Sequence, residues 1–249
     1  MKKAFLFLII FICTSIIVGL WARLLHYSNI VVISLTSDIV LLAVFIGFKF
    51  IRLSTDYIKT NPWKILMLCA IAAISMLIPS VFLQESMPEL HNNMENELMA
   101  MLQGPLGYIA VALIGPIVEE IVFRGAILNA LLKWDKLQGK HWWAIIISAC
   151  LFALMHFNPA QTPHALLMGV LFGWIVYRTG SILPTIMMHV INNSIAFITA
   201  QFYSDPNIKL IDIFGSQQTI GIVVIISLII LIGTICALNK YLTKELPTV

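Results

Sequence analysis

The sequence predicts an all-α fold, a polytopic membrane helix bundle of about eight transmembrane helices, and three observations carry that prediction. The 249 residues are 60% hydrophobic and only 11% charged, where soluble domains average about 25% charged residues. A soluble fold of this size leaves about a third of its unfolded surface exposed, so this much apolar surface requires lipid as its solvent. Apolar runs near the 20 or so residues that cross a bilayer recur at 4–22, 30–48, 63–83, 105–132, 142–157, 164–178, 183–203 and 219–238. Lysine and arginine are also sorted between the connections. With the N-terminus inside and eight spans, Lys2, Lys3, Lys49, Arg52, Lys59, Lys64, Lys133, Lys136, Lys140, Arg178, Lys240 and Lys244 fall in the cytoplasm. Only Arg23 and Lys209 fall outside, and Arg124 lies within a span. That is the positive-inside pattern, and it places both termini in the cytoplasm.

Each run has a readable beginning or end. Residues 1–21 start Met1-Lys2-Lys3 and continue apolar, as a signal peptide does, but no small-x-small cleavage site follows. The segment therefore reads as an uncleaved first span. The second run carries Asp38, to which the pattern assigns no role. Asn61-Pro62, Gly104-Pro105, Asn158-Pro159, Pro163 and Leu183-Pro184 set proline at or just before helix starts, where its missing N–H costs nothing. The fourth run is long and polar in its middle, and the fifth and sixth are short. The 84–97 loop holds Glu85, Glu89, Glu95 and Glu97 without Lys or Arg and falls outside. No repeat or soluble domain interrupts the chain, so 1–249 reads as one membrane domain with a core at 104–203.

Composition excludes several functions. The net charge of +3 is spread along the chain, so no basic cluster marks a nucleic-acid partner. Cys13, Cys69, Cys150 and Cys236 lie inside apolar runs without close spacing, against a disulfide framework or a zinc ribbon. The partners expected are membrane lipid and a membrane-associated peptide or protein.

Charged side chains at membrane depth cost several kcal/mol and persist where they face an interior and have a task. Three runs carry them: Glu119-Glu120 with Arg124, Phe152 with His156, and His189 with Asn193. Glu120 and Arg124 are four apart, share a helix face and can pair. Glu119, turned about 100° round the helix, is left free. His189 and Asn193 point the same way from the seventh helix, and Phe152 lies one turn below His156 as an apolar wall. Glu119 lies 13 residues from Leu132 and His156 lies 14 from Trp142, about 20 and 21 Å of rise. Asn193 is 10 residues past Leu183, about 15 Å in, with His189 one turn nearer the cytoplasm. All four can line one cavity open inward. A single ion pair or intramembrane histidine is often mere helix–helix adhesive, but the joint pattern is harder to explain so. His141 and His164 at span ends, and His26 and His91 in outer loops, read as interfacial.

A carboxylate held away from water is a useful general base. Glu119 and His156 can hold and deprotonate a water aimed at a peptide carbonyl, while His189 and Asn193 donate to the developing oxyanion. Ser148, Ser181 and Ser194 sit in no nucleophile elbow. Glu119, His156 and His189 also make a ligand set for a divalent metal such as zinc. The zinc-protease sequence H-E-x-x-H is absent, so metal-free chemistry is favoured and no cofactor is expected. The other readings are a proton- or ion-coupled transporter, weakened by the lack of inverted repeats, and a non-catalytic immunity or scaffold protein.

The three motifs, in this order, resemble those of the CAAX protease and bacteriocin-processing (Abi) family of intramembrane proteases: E-E-x-x-x-R, F-x-x-x-H and H-x-x-x-N. They stand here as Glu119-Glu120…Arg124, Phe152…His156 and His189…Asn193, within residues 104–203. The resemblance implies an all-helical membrane protease, similar to the enzymes that trim prenylated CAAX proteins, in a bacterial plasma membrane with its site open to the cytoplasm. It implies that Glu119 and His156 activate water, that His189 and Asn193 form the oxyanion hole, and that Glu120, Arg124 and Phe152 support them. The family has also been described as metal-dependent. Bacterial members are linked to bacteriocin maturation, self-immunity and surface-protein regulation.

Overall fold

Inside a bilayer every backbone N–H and C=O must be satisfied by the chain itself, and the described residues meet that demand with helices and no strand. The computed structural model describes residues 1–51, 56–87, 95–102, 104–203 and 208–245. Eight rods occupy the eight predicted runs. They are α1 (Lys2–Leu24), α2 (Ile30–Gly47), α3 (Trp63–Glu85), α4 (Gly104–Leu132), α5 (His141–Leu154), α6 (Thr162–Thr179), α7 (Leu183–Phe202) and α8 (Gln217–Glu245). Six of them, all but α5 and α6, are long and apolar enough to cross a membrane by length and composition. Short helices at Asp56–Lys59, Glu95–Met101 and Leu210–Phe214 lie in the connections. Proline stands in the first turns of α6 and α7 as expected, and Gly180, at φ 66°, ends α6 in the left-handed conformation.

α4 departs from the plain α-helix expected of it. It runs α-helical over Gly104–Tyr108 and π-helical over Ile109–Ile114, then α-helical over Gly115–Glu119, π-helical over Glu120–Leu128 and α-helical over Asn129–Leu132. Pro116 accounts for the middle. The Gly115 N–H bonds five residues back to the Ala110 carbonyl. In that register Pro116 would bond Val111, but proline has no N–H, so the Val111 carbonyl loses its backbone donor. The second π segment is buried along its whole length, as expected of the rod at the bundle's centre.

Two cores form around it. α1 packs on α4 through Phe11 against Phe123 (5.4 Å) and on α2 through Phe7 against Phe45 (5.9 Å). α3, α6, α7 and α8 share a second core around Cys69, Phe172, Met188 and Leu238. α6 sits against α5 almost backbone to backbone, because small residues let membrane helices approach closely. A β-carbon on Gly169 would stand 3.0 Å from Ala149 Cβ, and one on Gly173 would stand 2.9 Å from Ile145 Cγ2.

At one end of the bundle His141 stacks on Tyr177 (4.2 Å) and Arg178 holds Asn239. Lys133, Lys136 and Lys140 fill the adjoining connection, so the basic residues gather at this end. Near the other end Glu85 accepts the Leu210 N–H (2.8 Å). Arg52, Glu89 and His91, and the side chains of Glu95 and Lys244, lie outside the described residues.

Overpacking a close helix contact typically costs about 1–3 kcal/mol. Gly169→Ala should therefore lower the melting temperature of the detergent-solubilised protein clearly. Gly221→Ala and Gly233→Ala on α8, where an added β-carbon meets nothing within 4 Å, should leave it unchanged.

Candidate active site

The site is organised by one buried charge pair. Arg124 Nη1 donates to Glu120 Oε1 at 2.8 Å, and both side chains are fully buried. The guanidinium lies over the Phe152 ring (4.1 Å) with Phe172 beyond (5.3 Å), so two aromatic faces complement the charge that one carboxylate meets. The expected pairing is present, and the π-helical backbone carries it.

His189 extends the pair across to α7. Its Nδ1 lies 3.2 Å from Glu120 Oε1, in position to donate, while its Nε2 lies 3.6 Å from Glu119 Oε2. The imidazole thus spans the two adjacent carboxylates. Glu120 is consumed by Arg124 and His189. Glu119, with about a third of its side chain exposed (31%), keeps oxygens to spare.

These contacts correct the depth expected for α7. Counted from helix ends, His189 should lie about 10 Å nearer the basic end than Glu119, yet the two side chains meet. α7 therefore begins well inside the level at which α4 ends, so equal counts from the ends do not mean equal depth.

Phe152 joins the remaining histidine to this group. Its ring makes edge contacts with His156 (4.8 Å) and His189 (5.8 Å), as the apolar wall expected of it. His156 Nδ1 donates to the Phe152 carbonyl at 3.0 Å, which in the neutral ring leaves Nε2 unprotonated.

Asn193 has a structural duty that its motif does not reveal. Its Nδ2 donates to the Val111 carbonyl at 2.9 Å, the carbonyl that Pro116 deprives of a donor. Asn192 Nδ2 in turn donates to Asn193 Oδ1 at 3.0 Å, leaving Asn193 one amide hydrogen.

His164 is not interfacial as expected. It lies in the first turn of α6, half-buried, with Nδ1 2.8 Å from Ser80 Oγ on α3. From there it lies within reach of Asn192, His189 and His156. A histidine two residues into a helix after Pro163 resembles any span-end histidine in sequence, so only the tertiary contact reveals it. Ser148 bonds the Phe123 carbonyl (3.0 Å), Ser181 takes the Leu183 N–H (3.2 Å) and Ser194 pairs with Tyr108 (3.1 Å). Each serine therefore has a structural bond.

Glu120 Oε2, Arg124 Nη2 and Asn192 Oδ1 are buried without a hydrogen-bond partner. Buried polar atoms normally have partners, so these three atoms hold unspent hydrogen-bonding capacity. For a metal the fit is poor: among the described residues no three His, Cys, Asp or Glu side chains are grouped to hold an ion. His189 is turned with Nδ1 to Glu120, and no step below is routed through a metal.

Residues 101–195, which include all three motifs, match the Rce1-like family model, described as type II CAAX prenyl endopeptidase Rce1-like. The chain is 34% identical over 97 residues to the putative membrane peptidase YdiL of Bacillus subtilis, covering 38% of this chain and 37% of that protein. It is 28% identical over 142 residues to the membrane-embedded CAAX protease MroQ of Staphylococcus aureus, covering 55% and 57% of the two. Against the UPF0177 protein YaiF of Lactococcus lactis the identity is 24% over 189 residues, covering 70% and 81%. The alignments thus span little more than a third of YdiL and over half of MroQ. No solved structure matches the chain. Residues 101–195 are thus similar to the Rce1-like CAAX prenyl endopeptidase family, within an integral membrane helix bundle.

Asn193→Ala should strand the Val111 carbonyl at a cost of about 1–3 kcal/mol. Pro116→Ala in the same chain supplies an N–H there and should recover most of that thermal stability. Melting curves of the single and double variants in detergent decide it, and a double variant no more stable than Asn193→Ala would refute the compensation.

Proposed function

We propose that the protein is an intramembrane endopeptidase that hydrolyses a peptide bond of a membrane-associated or lipidated peptide or protein with water activated by Glu119 and His156. The observation that carries this reading is the division of labour between adjacent carboxylates: Glu120 is spent on Arg124 and His189, and Glu119 is not.

Glu119 is the general base. As the water oxygen bonds to the scissile carbonyl carbon, its proton passes to Glu119, and His156 Nε2 accepts the second O–H as a hydrogen bond. Charge then gathers on the carbonyl oxygen. With a hydrogen on each ring nitrogen, His189, released from Glu119 once that carboxylate is protonated, donates through Nε2 while Nδ1 stays on Glu120. The remaining Asn193 amide hydrogen is the second donor. Two fixed donors in a water-poor site stabilise the oxyanion far more than they would in bulk water. When the C–N bond breaks, Glu119 returns its proton to the leaving amine and regains its charge.

Access is from the cytoplasm, because the basic residues gather at the end near His141 and Arg178 and such residues favour the inner face. The name of the Staphylococcus aureus relative, a membrane-embedded CAAX protease, supports a membrane-anchored substrate.

Purified protein in detergent, offered a library of membrane-anchored peptides, should cleave at least one member. Glu119→Gln should lower that rate by about 10²–10⁴-fold while the variant stays folded, because the Glu120–Arg124 pair is untouched. Cleavage should survive exhaustive chelation. Loss on chelation with recovery on adding zinc would overturn the metal-free mechanism. A wild-type protein that cleaves nothing but moves protons across liposomes in a Glu119-dependent way would overturn the proteolytic reading.

A further inference from the structure

Asn192 is a polar residue of α7 to which the mechanism above gives no task. It is buried (7% exposed) at membrane depth, where an asparagine ordinarily serves to hydrogen-bond a neighbouring helix. Here it does not. Its Nδ2 donates to Asn193 Oδ1, on the same helix, at 3.0 Å. His164 of α6 lies within reach, yet Asn192 Oδ1 is buried and has no hydrogen-bond partner. An unmet buried acceptor lowers stability, so neither helix docking nor stability accounts for this side chain.

What it holds is the Asn193 amide, the second oxyanion donor of the proposed mechanism. The two ends of an amide are nearly alike in size, and hydrogen-bond partners decide which way it points. Asn193 Nδ2 faces the Val111 carbonyl at 2.9 Å, a group that can only accept. Asn193 Oδ1 faces Asn192 Nδ2, a group that can only donate. Turning the Asn193 amide over would set oxygen against oxygen at one end and nitrogen against nitrogen at the other. Held as it is, Asn193 keeps one hydrogen on Val111 and the second for the oxyanion. A bond accepted at the amide oxygen also polarises the amide and strengthens its N–H groups as donors.

We infer that Asn192 is a positioning residue that grips the Asn193 amide oxygen, so that the second Asn193 hydrogen stays aimed at the substrate carbonyl. It acts through Asn193 alone. Its effect on catalysis rests on the proteolytic reading, whereas the bond between the two amides can be measured without it.

The wild type, Asn192→Leu, Asn193→Ala and the double variant, each purified in detergent, test both parts. Leucine has nearly the shape of asparagine without its polar atoms. In the wild-type background it removes one unmet acceptor, Asn192 Oδ1, and leaves another, Asn193 Oδ1, so the melting temperature should change little. In the Asn193→Ala background Asn192 has already lost its acceptor, and there leucine should raise the melting temperature clearly. Equal shifts in the two backgrounds overturn the bond.

Cleavage of a membrane-anchored peptide by the same four proteins tests the role. Asn192→Leu should lower kcat about tenfold, less than the outright loss of an oxyanion donor costs, with KM little changed. In the Asn193→Ala background it should lower kcat no further. A merely structural asparagine would slow both backgrounds alike. Asn192→Leu with the wild-type kcat, or with the same loss in both backgrounds, overturns the positioning role. If the melting temperatures behave as stated but the wild type cleaves no peptide, the bond stands, and the proteolytic reading falls together with the catalytic role that rests on it.

Discussion

Everything in this site depends on one arrangement that lipid makes unforgiving: a guanidinium and a carboxylate with no water to share. Once Arg124 is buried at membrane depth it needs an anion, and Glu120, four residues back, is the nearest the chain offers. The pair then recruits its surroundings. Phe152 and Phe172 complement the guanidinium, and Gly169 leaves Arg124 Nη2 room to lie against α6. Glu120 also receives His189 from α7. Three helices besides α4 are thus oriented by groups chosen to satisfy a single ion pair. Because the pair uses Glu120 up, its neighbour Glu119 is held beside the same histidine with an oxygen to spare.

The second constraint is Pro116. A proline at the middle of a spanning rod removes a donor where no water can replace it. The chain answers locally, with π-helical turns on both sides, and globally, with Asn193 donating to the stranded Val111 carbonyl. That bond docks α7 on α4 one turn from His189. A residue expected only in an oxyanion hole therefore also ties α7 to α4. π-Helical segments often mark functional sites, and here a physical cause is visible.

Much of this was legible in the residues themselves. Hydropathy located all eight rods, and α6, the shortest predicted run, is a full helix from Thr162 to Thr179. The spacing of Glu120 and Arg124 foretold their contact, and that of Phe152 and His156 foretold the ring against the imidazole. Three things were not legible. The π-helical turns follow from hydrogen-bond register, which residue type alone does not specify. The depth of α7 depends on where the 179–183 connection lies, which no count from helix ends supplies. His164 looks like a span-end histidine until α3 is placed beside it. In each case the missing information was tertiary, and in a membrane it falls on the polar residues, because they are the ones that must find partners.

Thermal stability of a charge-matched pair of substitutions tests the central claim most directly. Breaking one side of a buried ion pair typically costs about 3–5 kcal/mol, whereas removing both charges together is often close to neutral. Arg124→Met and Glu120→Gln should each therefore melt far below the wild type in detergent. The double variant, in which the introduced amide oxygen still offers His189 an acceptor, should recover most of the loss. A double variant whose destabilisation is the sum of the two singles would contradict the account, because the two charges would then not be holding one another.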